Sequence, residues 1–211
     1  SEQPIVVRRV SLHDTNVGLV IANAGAQDPL SGHIVVEECI VLGNSSEPGG
    51  STLLAILRRC EDIVIRPNIL APGEAGLGMQ TAEEAQIARC QIEHNTWHDV
   101  QTWINWVGPM RQPLSIELHN NLIVDPQGIV AAARELATTA SENAVFFNNV
   151  LVNSRSASES FAPLAIEMPD FPLLSQDANH SDYLKPDFPR LKASSSKLDP
   201  IPGRYSAGDP P

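Results

Sequence analysis

The sequence predicts an all-β chain wound as a right-handed parallel β-helix of about six coils, with one short lateral helix and an extended, Pro-rich C-terminal tail. Three observations predict it: a motif that returns at a fixed offset, columns of constant chemistry down the aligned copies, and a change of composition after Leu151. IVVRRVSLHDT from Ile5 and IVVEECIVLGN from Ile34 align without a gap at an offset of 29, and IVIRPNILAPG from Ile63 follows at 29 again. AQIARCQIEHN from Ala85, IELHNNLIVDP from Ile116 and AVFFNNVLVNS from Ala144 continue the pattern at less regular spacing. A period of this length marks a repeat architecture.

The first column reads Ile5, Ile34, Ile63, Ala85, Ile116, Ala144, and the next, two residues on, reads Val7, Val36, Ile65, Ile87, Leu118, Phe146. That step of two is a strand with one buried face. Three residues later come Val10, Cys39, Asn68, Cys90, Asn121 and Asn149, and two more reach Leu12, Val41, Leu70, Ile92, Ile123 and Leu151. The odd step marks a bend between two short strands. Asn side chains stacked at such a bend bond the backbone and one another, satisfying polar groups whose burial alone would be costly. Cys39, Asn68, Cys90, Asn121 and Asn149 are therefore assigned to a structural ladder. Small, polarisable Cys tolerates the same slot, and Cys60 is expected to be buried as well.

First-column spacings of 22 to 31 residues suit three short strands plus turns, and no leucine-dense consensus is present. Outward positions alternate in charge from coil to coil, Arg8, Glu37, Arg66 and beside them Arg9, Glu38, which sets register across strands about 4.8 Å apart. Only SEQP precedes the first strand. Four residues do not cap a coil, so the first coil is expected to stack on earlier coils of the same polypeptide or on a partner subunit. GIVAAARELATTASEN, from Gly128 to Asn143, has the composition of the lateral helix. The coils are assigned to residues 1–160. Nine Pro between Pro163 and Pro211 end the regular coils, and residues 161–211 are assigned to a segment that covers the last coil, FAPLAIEMPDFPLL, and a tail.

The strand, asparagine, strand cores IEHNTW, IELHNNLIV and FFNNVLVNS resemble the right-handed parallel β-helix repeat family, the pectate-lyase-like superfamily that includes polysaccharide lyases, chondroitinase-like enzymes and phage tailspikes. The resemblance covers about 150 residues. It implies the fold, an extracellular or virion-associated location, and a tail running back along the outside of the stack. Enzymes of this kind generally use a Lys or Arg base with calcium or clustered acids, or grouped carboxylates; here every Lys (Lys185, Lys192, Lys197) lies beyond the coils.

A formal net charge of −11 over 211 residues argues against a nucleic-acid or anionic-membrane partner. No run of about eighteen apolar residues occurs. The three Cys match no zinc or haem spacing, and no cofactor fingerprint appears. His94, His98 and Asp99 have metal-ligand spacing only on a helix, whereas the repeat puts His94 at a strand end, so no metal is expected. HNTWHDVQTWINW gathers all three Trp within thirteen residues. Trp97, Trp103 and Trp106, with His98 and Arg89, form the candidate sugar-binding platform, since an aromatic face pairs with the apolar face of a pyranose. The competing reading packs two of these Trp against the helix wall. Two functions stand at this point: a non-catalytic structural or adhesive module, such as part of a tail fibre or spike, with polysaccharide as a further partner; or the C-terminal part of a polysaccharide lyase or glycoside hydrolase.

Overall fold

The computed structural model describes residues 3–22, 33–44, 51–57, 60–80, 87–107, 115–125, 144–153, 165–168, 171–175, 181, 184–187, 190 and 202–203. The first coil comprises β1 (Ile5–Arg8), β2 (Ser11–Thr15) and β3 (Val17–Ala22); the second β4 (Ile34–Glu37), β5 (Ile40–Gly43) and β6 (Thr52–Leu57); the third β7 (Cys60–Ile65), β8 (Ile69–Leu70) and β9 (Gly73–Gln80). The fourth has β10 (Ile87–Glu93), β11 (Thr96–His98) and β12 (Val100–Val107), the fifth β13 (Ile116–His119) and β14 (Leu122–Val124), and the sixth β15 (Ala144–Phe147) and β16 (Val150–Val152). β17 (Ile166–Glu167) adds one further rung.

Corresponding strands pair in parallel along the axis, giving a first sheet β1-β4-β7-β10-β13-β15, a second β17-β16-β14-β11-β8-β5-β2 and a third β12-β9-β6-β3. This is a right-handed parallel β-helix, the hand that twisted strands favour in parallel crossovers. Six coils run through the first two sheets, and four are complete in all three among the described residues. The expected lateral helix at 128–143 lies outside the described residues.

β-branched residues at alternate positions fill the interior. Ile34, Val36, Ile63, Ile65, Ile92, Ile116 and Leu118 are buried in one continuous core, each such side chain contributing about 1.5–3 kcal/mol. The register is Ile5, Ile34, Ile63, Cys90, Ile116, Ala144 down the first column. The fourth coil therefore aligns at Cys90 and not at Ala85, which lies outside the described residues. The shift has a local cause. Cys60 pairs with Ile87, Glu61 with Ala88 and Ile63 with Cys90, so Asp62 and Arg89 face each other as an extra bend, both left-handed at φ 56° and 51°. In the fourth coil the step of two and three occurs twice in succession, and the sequence alone does not say which copy is the corner.

At the other end, β17 extends the second sheet beyond β16 and Ala165 joins the interior core. Phe171 and Leu184 pack with Leu122, Val124, Val150 and Val152 in a second cluster. The segment after the sixth coil thus adds one rung and lies against the second sheet.

Candidate functional site on the outer face of the first sheet

The corner between the first and second sheets is built by one left-handed residue per coil, Arg9, Glu38, His94, Asn120 and Asn148, with φ between 50° and 58°. The third coil has Pro67 there, whose ring fixes φ near −65°. The residue that follows turns inward. Asn68, Asn95, Asn121 and Asn149 are buried, and each Oδ1 accepts a bond from the backbone N–H one coil earlier: Cys39 to Asn68 at 2.9 Å, Asn68 to Asn95 at 3.0 Å, Asn95 to Asn121 at 3.0 Å, Asn121 to Asn149 at 3.1 Å. Each Nδ2 also donates to an interior strand carbonyl, Val36, Ile65, Ile92 and Leu118 in turn. The ladder is therefore Cys39, Asn68, Asn95, Asn121, Asn149. Asn95 takes the place expected for Cys90, which is buried within β10 five residues earlier. Burial raises the Cys90 thiol pKa far above its usual range and also raises that of Cys39.

On the outside of the same corner, alternating charges run up the first sheet. Arg8 pairs with Glu37; Arg66 lies 3.6 Å from both Glu37 and Glu93; His119 lies 3.6 Å from Glu93; and Phe147 stacks on His119 with centroids 4.5 Å apart and planes 5° from parallel. Arg9 pairs with Glu38 at 2.5 Å. At the far edge of this sheet, the Asp62–Arg89 bend points a guanidinium back at Asp62 and at Glu61, 2.8 Å away. Arg89 holds the Asp62 carboxyl below the usual carboxylate range.

Between the bend and the strip of charges lies a cleft of about 310 Å³, lined by His33, Asp62, Val64, Arg89, Cys90, Gln91, Ser115 and Glu117. Val64, Gln91 and Glu117 are neighbours on three successive rungs, and Gln91 lies 3.4 Å from Glu117. Carboxylates from Asp62 and Glu117 stand beside amide, hydroxyl and guanidinium donors. Such a lining is chemically suited to a polar ligand held by hydrogen bonds.

The expected platform is divided by the fold. Trp97 and Trp103 are fully buried, their rings 5.8 Å apart at 64°, so neither presents a face to a sugar. Their indole nitrogens have no hydrogen-bond partner. Trp106 lies on β12, and its side chain is outside the described residues. His98 lies 3.4 Å from Asp125 at the end of the second sheet. Of these residues, Arg89 lines the cleft. Asn95, His33, Gln91 and Glu117 were not singled out from sequence; Asn95 carried a signal, a large apolar residue two places on, Trp97, as Leu70, Ile123 and Leu151 follow Asn68, Asn121 and Asn149. Among the described residues no cluster of three His, Cys, Asp or Glu is arranged to hold a metal ion, and no helix is long and apolar enough to cross a membrane. No protein-family model, curated protein or solved structure gives a significant match to the chain.

Proposed function

We propose that this chain is a non-catalytic structural or adhesive β-helix module of an extracellular, virion or tail-type assembly, its finer kinship lying with the pectate-lyase-like superfamily. The observation that supports this reading is the open face of the first coil. β1, β2 and β3 each pair on one side only among the described residues. Ile5 is 58% and Val17 56% exposed, and the interior residues Val7, Val10, Leu12 and Leu19 are only partly buried. Open strand edges with apolar neighbours are where a further strand adds. The occupant that fits is another parallel coil, either an earlier coil of the same polypeptide or one of a partner subunit. Arg8 and Arg9 are each paired on one side, so alternation calls for carboxylates on the incoming strand.

Carbohydrate contact belongs to this reading as an accessory role of the cleft. The presence of Asp62 and Glu117 in one cleft favours the second reading, the C-terminal part of a polysaccharide lyase or glycoside hydrolase. Sedimentation over a range of concentrations, together with incubation with uronate polymers, separates the two. The structural reading expects association that weakens in a Val17→Lys, Val20→Lys variant, and no release of chain ends. A monomer that releases unsaturated or reducing ends overturns it.

A further inference from the structure

Two histidines on successive rungs meet one amide at the corner of the fourth and fifth coils. Asn148 Nδ2 donates to Asn120 Oδ1 at 2.6 Å, which fixes the Asn120 amide with its nitrogen towards the histidines. That nitrogen lies 3.4 Å from His94 Nε2 and 3.0 Å from His119 Nδ1. An amide NH₂ has two hydrogens and no acceptor, so both ring nitrogens meet it as lone pairs. The neutral tautomers follow: His94 carries its proton on Nδ1, and His119 carries its proton on Nε2, towards Glu93 3.6 Å away.

The same Asn120 holds Gly203. Its backbone carbonyl accepts a 2.9 Å bond from Gly203 N–H. Gly203 sits at φ +102°, and a Cβ there would lie 3.2 Å from Leu122 and from Pro186, so only glycine seats this closely. Pro202 and Gly203 are both buried.

We propose that Asn120, His94 and His119 form a proton-sensitive latch that holds the segment at Gly203 in neutral solution and releases it in acid. A second proton on either ring turns an accepting nitrogen into N–H facing N–H, and Asn120 gives way with the Gly203 bond it supports. The groups facing the pair are Glu93 on the same rung as His94, Arg66 on the rung before, and the backbone of Gly203; the ring of Phe147 covers His119. Glu93 and the Gly203 backbone favour protonation of His94. Burial is the larger effect and, with His119 and Arg66, holds its pKa below the ordinary histidine value.

Hydrogen exchange at the Gly203 amide, corrected for the intrinsic pH dependence, tests the latch between about pH 7.5 and 5, the span over which histidine titrates. Protection is expected to fall, from about pH 6.5 downwards, by up to about tenfold per pH unit for each proton taken up on opening. A His94→Gln, His119→Gln variant keeps an accepting oxygen at each position without a titrating ring and is expected to hold its protection. Flat protection in the parent chain, or the same loss in the variant, overturns the proposal. If the variant does not fold, ring NMR of the parent decides: opening that tracks imidazole protonation supports the latch, and opening that tracks carboxylate protonation overturns it.

Discussion

Replacing Asn121 by Ala removes a side chain that serves two rungs at once. Its Oδ1 accepts from Asn95 N–H at 3.0 Å, and its Nδ2 donates to Ile92 O at 2.8 Å and to Asn149 Oδ1 at 2.9 Å. Each buried partner left alone costs about 1–3 kcal/mol, so Asn121→Ala is expected to lower stability by roughly 3 kcal/mol, read as a fall in the urea midpoint. Cys39 tests the same rule in reverse. Its Sγ lies 3.7 Å from Val7 O, the carbonyl that an Asn amide would reach by analogy with Asn68 and Val36. Cys39→Asn is expected to add a rung and raise stability by about 1 kcal/mol, and a lower midpoint would contradict the analogy. At this scale Asn68, Asn121 and Asn149 were readable, because polar residues recurred in an otherwise apolar column. Cys90 displaced Asn95 in the reading, because IARCQIEHNTW satisfies the same spacing in two registers and the choice is made by the Asp62–Arg89 pair, a contact between coils.

Strands of the second and third sheets carry the tryptophan packing that the competing reading expected. HNTWHDVQTWINW reads as a sugar platform or as two Trp packed against the helix wall; it runs through β11 and most of β12, with Trp97 and Trp103 filling the interior. They fit because β9 gives way: a Cβ on Gly76 would meet Trp97 Cδ1 at 2.6 Å and Trp103 O at 3.0 Å. Gly76→Ala is therefore expected to destabilise by about 1–3 kcal/mol and to shift tryptophan fluorescence, whereas an unchanged spectrum and midpoint would place the rings elsewhere. Strand existence was legible from alternation. The volume needed inside the fourth coil was not, because it depends on which small residue faces a large one a coil away. The outward charges were legible at Arg8, Glu37 and Arg66, and the structure carries that alternation on to Glu93.

For the molecule as a whole, acid is the informative perturbation. His94 has a folded pKa below its ordinary value, burial being the first cause. The unfolded chain therefore binds the proton more readily, and the stability this group contributes is present above about pH 6.5 and lost as pH falls through the folded value. The midpoint of urea unfolding is expected to decline below pH 6.5 in the parent chain and to decline less in His94→Gln; equal slopes would remove His94 as the cause. The class of fold was legible because a coil repeats and errors in one unit are outvoted by the others. The cleft was not, because His33, Asp62, Gln91 and Glu117 come from four coils, and only the inter-coil register makes them neighbours.

The asparagine ladder has a direction. Every side-chain oxygen takes its backbone hydrogen from the coil before it, and the series fades into Cys39 and then Val10, neither of which has an amide to offer. The inward position of the first coil's corner, Val10, thus makes no side-chain hydrogen-bond demand on a neighbour. In the proposed assembly role, recognition at that end would fall to strand edges, which any extended backbone satisfies, and to Arg8 and Arg9, which do not accept every neighbour. On that proposal affinity and selectivity would be carried by different parts of the same surface, so neutralising the two arginines is the route to a promiscuous end, and blunting the edges the route to an inert one.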